Sequence, residues 1–155
     1  RGLLIRRRTA FEAARNMDVV VFDKTGTLTR GEFGVSEIRT LGDWDEEDLL
    51  RRAAAVERHS EHTIAEGITA AAEERDLERT KADDFEALPG KGARATVEGE
   101  TVFVGSRGIL DAAGVESGPE QEALEELAAK GRTVVIVATG SGIQGVIGLE
   151  DVIRE

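Results

Sequence analysis

Val19-Val20-Val21-Phe22-Asp23-Lys24-Thr25-Gly26-Thr27-Leu28-Thr29 is the stretch about which the rest of the chain is arranged. The run from Val19 to Phe22 is apolar without alternation, as a parallel strand buried on both faces requires. A polar loop containing Gly26 begins where that strand would end. Ligands of open α/β sheets sit outside the carboxyl ends of the strands, so Asp23 stands where chemistry is done. A carboxylate there can attack phosphorus or a sugar carbon if positive charge and hydrogen-bond donors stand beside it. Lys24, the hydroxyls of Thr25 and Thr27 and the amides around Gly26 can supply both. Position 25 bears on the fate of the adduct. A second carboxylate two residues past the nucleophile could act as general acid or base and speed hydrolysis of an aspartyl-phosphate. Threonine stands there instead, which predicts a phosphoenzyme that persists until something else releases it, as a transport cycle needs and a simple phosphatase does not.

Composition narrows the classes. The 155 residues make one domain or two small ones, enough chain to bury a core. With 20 Lys and Arg against 31 Asp and Glu the net charge is −11, which argues against a general nucleic-acid surface. The overall field repels a nucleotide too, so local features must hold one. There is no cysteine, hence no disulfide framework and no thiolate metal site. No window approaches the roughly 18 consecutive apolar residues of a membrane span, and there is no signal-peptide pattern. A cytosolic location fits; if the chain is part of a transporter, the membrane part lies elsewhere.

Outward from the central stretch, Arg6-Arg7-Arg8 and then Thr9 to Arg15 read as a basic lead-in followed by a short helix, consistent with a chain just leaving a bilayer or with a solvated basic patch. Residues 33–41 suggest a short strand. Asp43 to Glu47 open a helix with acid in its first turn, and Leu49, Leu50, Ala53, Ala54 and Val56 form its buried face. Ser60 is the expected N-cap of a second helix running to about Arg75. Glu57 and His62 then lie at the junction of the two helices, able to converge on one pocket. Residues 76–83 read as a loop and 85–88 as a strand. In Pro89-Gly90-Lys91-Gly92 two glycines allow a close backbone approach to phosphate, with Lys91 adding charge, although a β-hairpin bend also explains them. Glu98-Gly99-Glu100 is a hairpin turn into a half-buried strand, 101–106. Two helices, 107–113 and 120–130 with Leu124, Leu127 and Ala128 inward, precede a second apolar strand, Val134 to Ala138.

Asp23 to Thr29 resembles the phosphorylation motif of the P-type ion-transporting ATPases. Ser60-Glu61-His62 resembles the Ser-Glu-His-Pro motif of the heavy-metal-transporting members, with Thr63 where that family has proline. The resemblance implies that Glu57 and His62 help hold adenine and that Gly90, Lys91 and Gly92 contact the nucleotide. Ser106 stands where the family often has asparagine. The Arg8-Thr9-Ala10-Phe11-Glu12 lead-in and Gly31-Glu32-Phe33-Gly34-Val35 most resemble copper pumps of the CopB type. The implied fold is α/β: an α+β nucleotide-binding domain, an antiparallel sheet flanked by helices, inserted into a partial haloacid-dehalogenase-like phosphorylation domain. The expected division is a juxtamembrane lead-in (1–17), the first strand and phosphorylation loop (18–31), the nucleotide-binding domain (32–144) and a return toward the phosphorylation domain near Gly145 (145–155). The implied chemistry is ATP-dependent metal transport on the cytoplasmic face of the cell membrane. Asp23 is the nucleophile, assisted by Lys24 and Thr25, and Asp23 and Thr25 form part of a magnesium site. ATP and the remainder of the pump are the implied partners. A soluble haloacid-dehalogenase-like phosphatase and a nucleotide-binding module without turnover remain as alternatives.

The family continues with a Thr-Gly-Asp segment and a Gly-Asp-Gly-x-x-Asn-Asp loop that complete the magnesium site, and neither occurs in this sequence. Phosphoryl transfer needs the metal and an in-line geometry. The chain by itself is therefore expected to bind ATP and to phosphorylate Asp23 poorly or not at all. Robust magnesium-dependent labelling of Asp23 would overturn that expectation.

Overall fold

The computed structural model describes the backbone of residues 29–153 and the side chains of residues 32–152. The strand and loop expected at residues 19–28, with Asp23, Lys24 and Thr25, and the lead-in before them lie outside the described residues. In chain order the elements are β1 (Thr29–Thr40), α1 (Glu46–Glu57), α2 (Thr63–Glu74), β2 (Ala82–Leu88), β3 (Gly92–Val97), β4 (Glu100–Gly105), α3 (Ile109–Ala113), α4 (Gln121–Ala129), β5 (Thr133–Thr139) and β6 (Gly142–Ile153). The six strands form one antiparallel sheet in the order β1-β6-β5-β4-β3-β2. The sheet expected from the sequence, antiparallel and flanked by helices, is the one observed.

Helices cover both faces. Val102 and Val104 of β4, Val135 and Val137 of β5 and Ile147 and Leu149 of β6 pack with Leu49, Leu50, Val56 and Ile68 of α1 and α2. The intervening Phe103, Ile136 and Val146 pack with Ile109, Leu110 and Leu127 of α3 and α4. This explains why residues 134–138 are apolar without alternation. A central antiparallel strand sandwiched between two helical layers has no polar face to show.

Most local signals appear where the sequence places them. Asp45 caps α1, its carboxylate accepting from the Asp48 amide at 2.8 Å. Glu98 and Gly99, both with positive φ, close the β3–β4 hairpin as a two-residue turn of the kind whose twist matches the strands. Four local readings differ, one being that β2 begins at Ala82, inside the stretch 76–83 expected as a loop. The N-cap of α2 is His62, whose side chain accepts from the Ile64 amide, while Ser60 lies two residues earlier in the interhelical turn. β1 is longer than expected because it pairs with β6 along nearly its whole length. On α4, Ala123 takes the inward place beside Leu124 and Leu127, and Ala128 is exposed.

The β1–β6 pair runs from Thr40 opposite Gly145 to Thr29 opposite Ile153, with two irregularities in register. The divisions expected at 31/32 and 144/145 therefore fall inside strands. The described chain enters and leaves the sheet side by side.

α2 lies against β1 through Gly67. A Cβ built there would stand 2.4 Å from the Phe33 carbonyl oxygen, a backbone atom that cannot swing aside. Gly67→Ala is expected to push the helix off the strand and cost about 1–3 kcal/mol, the usual range for overpacking. Urea denaturation of the two proteins measures it, and an unchanged midpoint would mean that α2 has room this packing denies it.

Candidate functional site

A cavity of about 470 Å³ opens between the α1–α2 junction, the β2–β3 hairpin and the starts of β5 and the β4–α3 connection. That volume suits a small organic ligand. Its lining includes Glu57, His62, Gly90, Lys91 and Gly92, so the five residues singled out as a nucleotide site from three stretches of sequence share one cavity. Apolar walls come from Ile64 and Ala65 of α2, Phe85 and Leu88 of β2 and Val134 and Val135 of β5. Nothing in the local sequence marked Phe85, Val134 or Val135 as part of a site. Each reads as core, and only the fold turns one edge of that core into a wall.

Glu57 is the last residue of α1 and only 7% exposed. Removal from water pushes its carboxyl up to about 7, opposed by a hydrogen bond from the Ser60 side chain. Among the described residues no lysine or arginine pairs with it. His62 is exposed, and its Nδ1 accepts from the Ile64 amide at 3.3 Å, so the neutral ring carries its proton on Nε2. The capping bond thus does two things, starting the helix and fixing the tautomer at the cavity. Lys91, at the hairpin, is exposed and has no ion-pair partner among the described residues, which leaves its ammonium free for an anion.

The two glycines of the hairpin have different reasons. Gly90 has φ 73°, and a Cβ there would meet nothing within 4 Å, so backbone conformation alone selects glycine. Gly92 has φ 143°, and its Cβ would fall 2.1 Å from the Val104 carbonyl oxygen. Opposite it in register, a Cβ on Gly105 would fall 2.0 Å from the Lys91 carbonyl oxygen. Close strand packing, independent of any ligand, therefore requires Gly92. Ser106 ties the hairpin down, its amide donating to the Lys91 carbonyl at 2.8 Å and its hydroxyl to the same carbonyl at 3.2 Å.

Thr63 does not line this cavity. It faces a separate groove between α2 and β1, with Phe33, Glu66 and Val152. It is also the first residue of α2, the helical position where proline is tolerated because no intrahelical N–H bond is lost. Threonine in place of proline there removes no cavity contact. Among the described residues no group of three or more His, Cys, Asp or Glu side chains could hold a metal ion, and no helix is long and apolar enough to cross a membrane. The described residues therefore do not themselves fit a magnesium site; the ligands expected from the sequence, Asp23 and Thr25, lie outside them.

Comparisons with known proteins bear on the family and the fold. A family model described as haloacid dehalogenase-like hydrolase matches residues 17–155. The copper-exporting P-type ATPase B of Archaeoglobus fulgidus is 43% identical over 153 residues, covering 99% of this chain and 22% of that protein. A crystal structure of a zinc-transporting PIB-type ATPase superposes with a TM-score of 0.76 at 35% identity, covering 85% of this chain and 21% of the other. The N-domain of HMA6, a copper-transporting P-type ATPase, superposes with a TM-score of 0.63 at 30% identity, covering 77% of this chain and 99% of that domain. The chain spans about a fifth of the length of the curated relatives it matches.

Two measurements follow from the geometry. Folded Glu57 keeps its proton up to about pH 7, whereas an unfolded glutamate loses it near 4.5. Between those values the folded state binds more protons, so this group's contribution to stability falls as pH rises, by on the order of 3 kcal/mol in full. Denaturant midpoints at pH 5 and pH 8 should therefore diverge less in Glu57→Gln than in the parent chain, and equal divergence would refute the assignment. Thr63→Pro should raise stability by about 0.4–1 kcal/mol by restricting the unfolded chain. A loss of stability would show that the Thr63 amide makes a bond proline removes.

Proposed function

The chain belongs to the haloacid dehalogenase-like hydrolases and, within them, to the heavy-metal-transporting P-type ATPases, and on that premise we propose that its described domain binds ATP in the cavity at the α1–α2 junction. The observation that carries the reading is the convergence of Glu57, His62, Gly90, Lys91 and Gly92 on one mostly apolar cavity of nucleotide size. The adenine lies against the apolar wall of Ile64, Phe85 and Val135, within reach of Glu57 and of the Nε2–H of His62. The phosphates extend over the hairpin, where Lys91 supplies the positive charge that a chain of net charge −11 otherwise lacks.

In the whole protein the γ-phosphoryl group is transferred to Asp23. A carboxylate oxygen attacks phosphorus while the bond to the bridging oxygen of ADP breaks, with Lys24 and Thr25 beside the developing charge. Magnesium held by Asp23 and Thr25 would neutralise phosphate charge there. The phosphorylated aspartate drives transport of a heavy-metal cation, copper in our reading, and the domain faces the cytoplasm. β1 and β6 leave the sheet together at Thr29 and Ile153. That placement suits a nucleotide domain carried on two adjacent connections, so that bound ATP moves toward Asp23 as one body.

Calorimetric titration of ATP into the intact chain and into His62→Ala tests the site. Saturable binding by the parent, weakened about tenfold or more in the variant, is expected for loss of one oriented donor and a ring contact. Equal affinity in both proteins, each shown to be folded, would remove His62 from the site. No binding by the folded parent would remove the function.

A further inference from the structure

Resting on the reading of this cavity as the adenine site, we propose that Glu57 meets the base as an un-ionised carboxylic acid, donating its O–H to adenine N1 and accepting from the N6 amino group, so that its protonation state selects between adenine and guanine.

Glu57 is 7% exposed and lines the cavity together with the apolar Ala65, Ala93 and Val135. The remaining titratable groups on the cavity lining are His62, on the cap of α2, and Lys91, on the hairpin. His62 directs Nδ1 at its own helix, and the Lys91 stem lies over Gly108, toward the mouth. Beyond the end of α1, His59 turns its ring onto Phe85 at 5.5 Å between centroids. β4 and β5 contribute only Gly105, Thr133, Val134 and Val135 to the lining, and none of these is charged. Among the described residues no fixed cation compensates an ionised Glu57, and burial already holds its proton to about pH 7 before any ligand enters. A base that covers the carboxyl removes more water, and a nucleotide brings further negative charge. Both favour the acid form.

The base edges then decide. A protonated carboxyl offers one donor and one acceptor side by side, as a glutamine amide does, and adenine presents an acceptor at N1 beside a donor at N6. An ionised carboxylate offers two acceptors. Against adenine it satisfies N6 only and sets a second oxygen against the N1 lone pair, leaving buried polar atoms unpaired. Against guanine, whose N1–H and N2 amino group are both donors, the same carboxylate makes two charge-assisted bonds. Deprotonation therefore weakens adenine and strengthens guanine at one atom pair.

Isothermal titration of ATP and of GTP between pH 6 and pH 8, in buffers of differing ionisation enthalpy, tests this in the parent chain and in Glu57→Gln. If only the acid form binds adenine, the parent's ATP dissociation constant rises about tenfold across that range, the inverse of the protonated fraction. The ratio of GTP to ATP affinity rises with it, and ATP binding at pH 8 takes up about one more proton than in the variant. Glu57→Gln, which keeps the donor–acceptor pair at every pH, shows neither trend, so its comparison with the parent cancels contributions from every other group. Proton release on ATP binding, or ATP affinity that improves with pH, would mean that the carboxylate binds N6 alone and would overturn the proposal while leaving the adenine site intact. An ATP-to-GTP ratio equally flat in both proteins would overturn it in the same way. Absence of ATP binding by both folded proteins at every pH would overturn the site reading itself, and this inference with it.

Discussion

The antiparallel pairing of β1 with β6 is the constraint on which the described fold depends. It closes residues 29 and 153 onto each other across a sequence separation that would otherwise carry a large chain-entropy cost, and the long backbone ladder repays it. β1 is an edge strand, and α2 covers it so closely that Gly67 has no space for a side chain. Once β6 is fixed between β1 and β5, the central strands are buried on both faces and the two helical layers follow. The same pairing brings the two ends of the described chain side by side at one edge of the sheet.

The cavity is a by-product of that arrangement put to use. α1 ends at Glu57 because the chain must turn to start α2, and the β2–β3 hairpin comes up beside the turn because Gly92 lets β3 press against β4. Neither event requires a ligand. What the site adds is chemistry left incomplete among the described residues: a buried carboxyl with no cation beside it, an imidazole held in one tautomer by the helix it caps, and a lysine without an ion-pair partner. In a chain of net charge −11, Lys91 at the mouth is a local positive charge on a cavity whose buried acid is held in its neutral form up to about pH 7.

Much of this was legible in one sequence. Glu57 and His62 stood at a helix junction by periodicity, the Glu98-Gly99 turn announced its hairpin, and the resemblance around Asp23 to Thr29 named the family that the comparisons bear out. Ser60 looked the better cap because hydroxyls usually serve there. His62 takes the place because its own ring reaches the Ile64 amide, and that reach depends on how the interhelical turn is bent. Gly92 looked like a glycine for phosphate, whereas backbone contact with β4 is reason enough for it. Thr63 stands where the resembling family has proline, and it lines a separate groove between α2 and β1, not the cavity.

What can be read along the chain is local: most helices, strands and turns, and which residue types could do phosphoryl and purine chemistry. Those follow from side-chain periodicity and backbone preferences acting over a few residues. It takes the folded chain to bring Phe85, Val134 and Val135 onto one wall with Glu57, to run β1 and β6 together past positions 31/32 and 144/145, and to leave Glu57 without a charged partner among the described residues. Each of these depends on which distant segments are brought into contact, and the ionisation of a carboxyl is set by the dielectric and charges that such contacts place around it, which no spacing along the chain records.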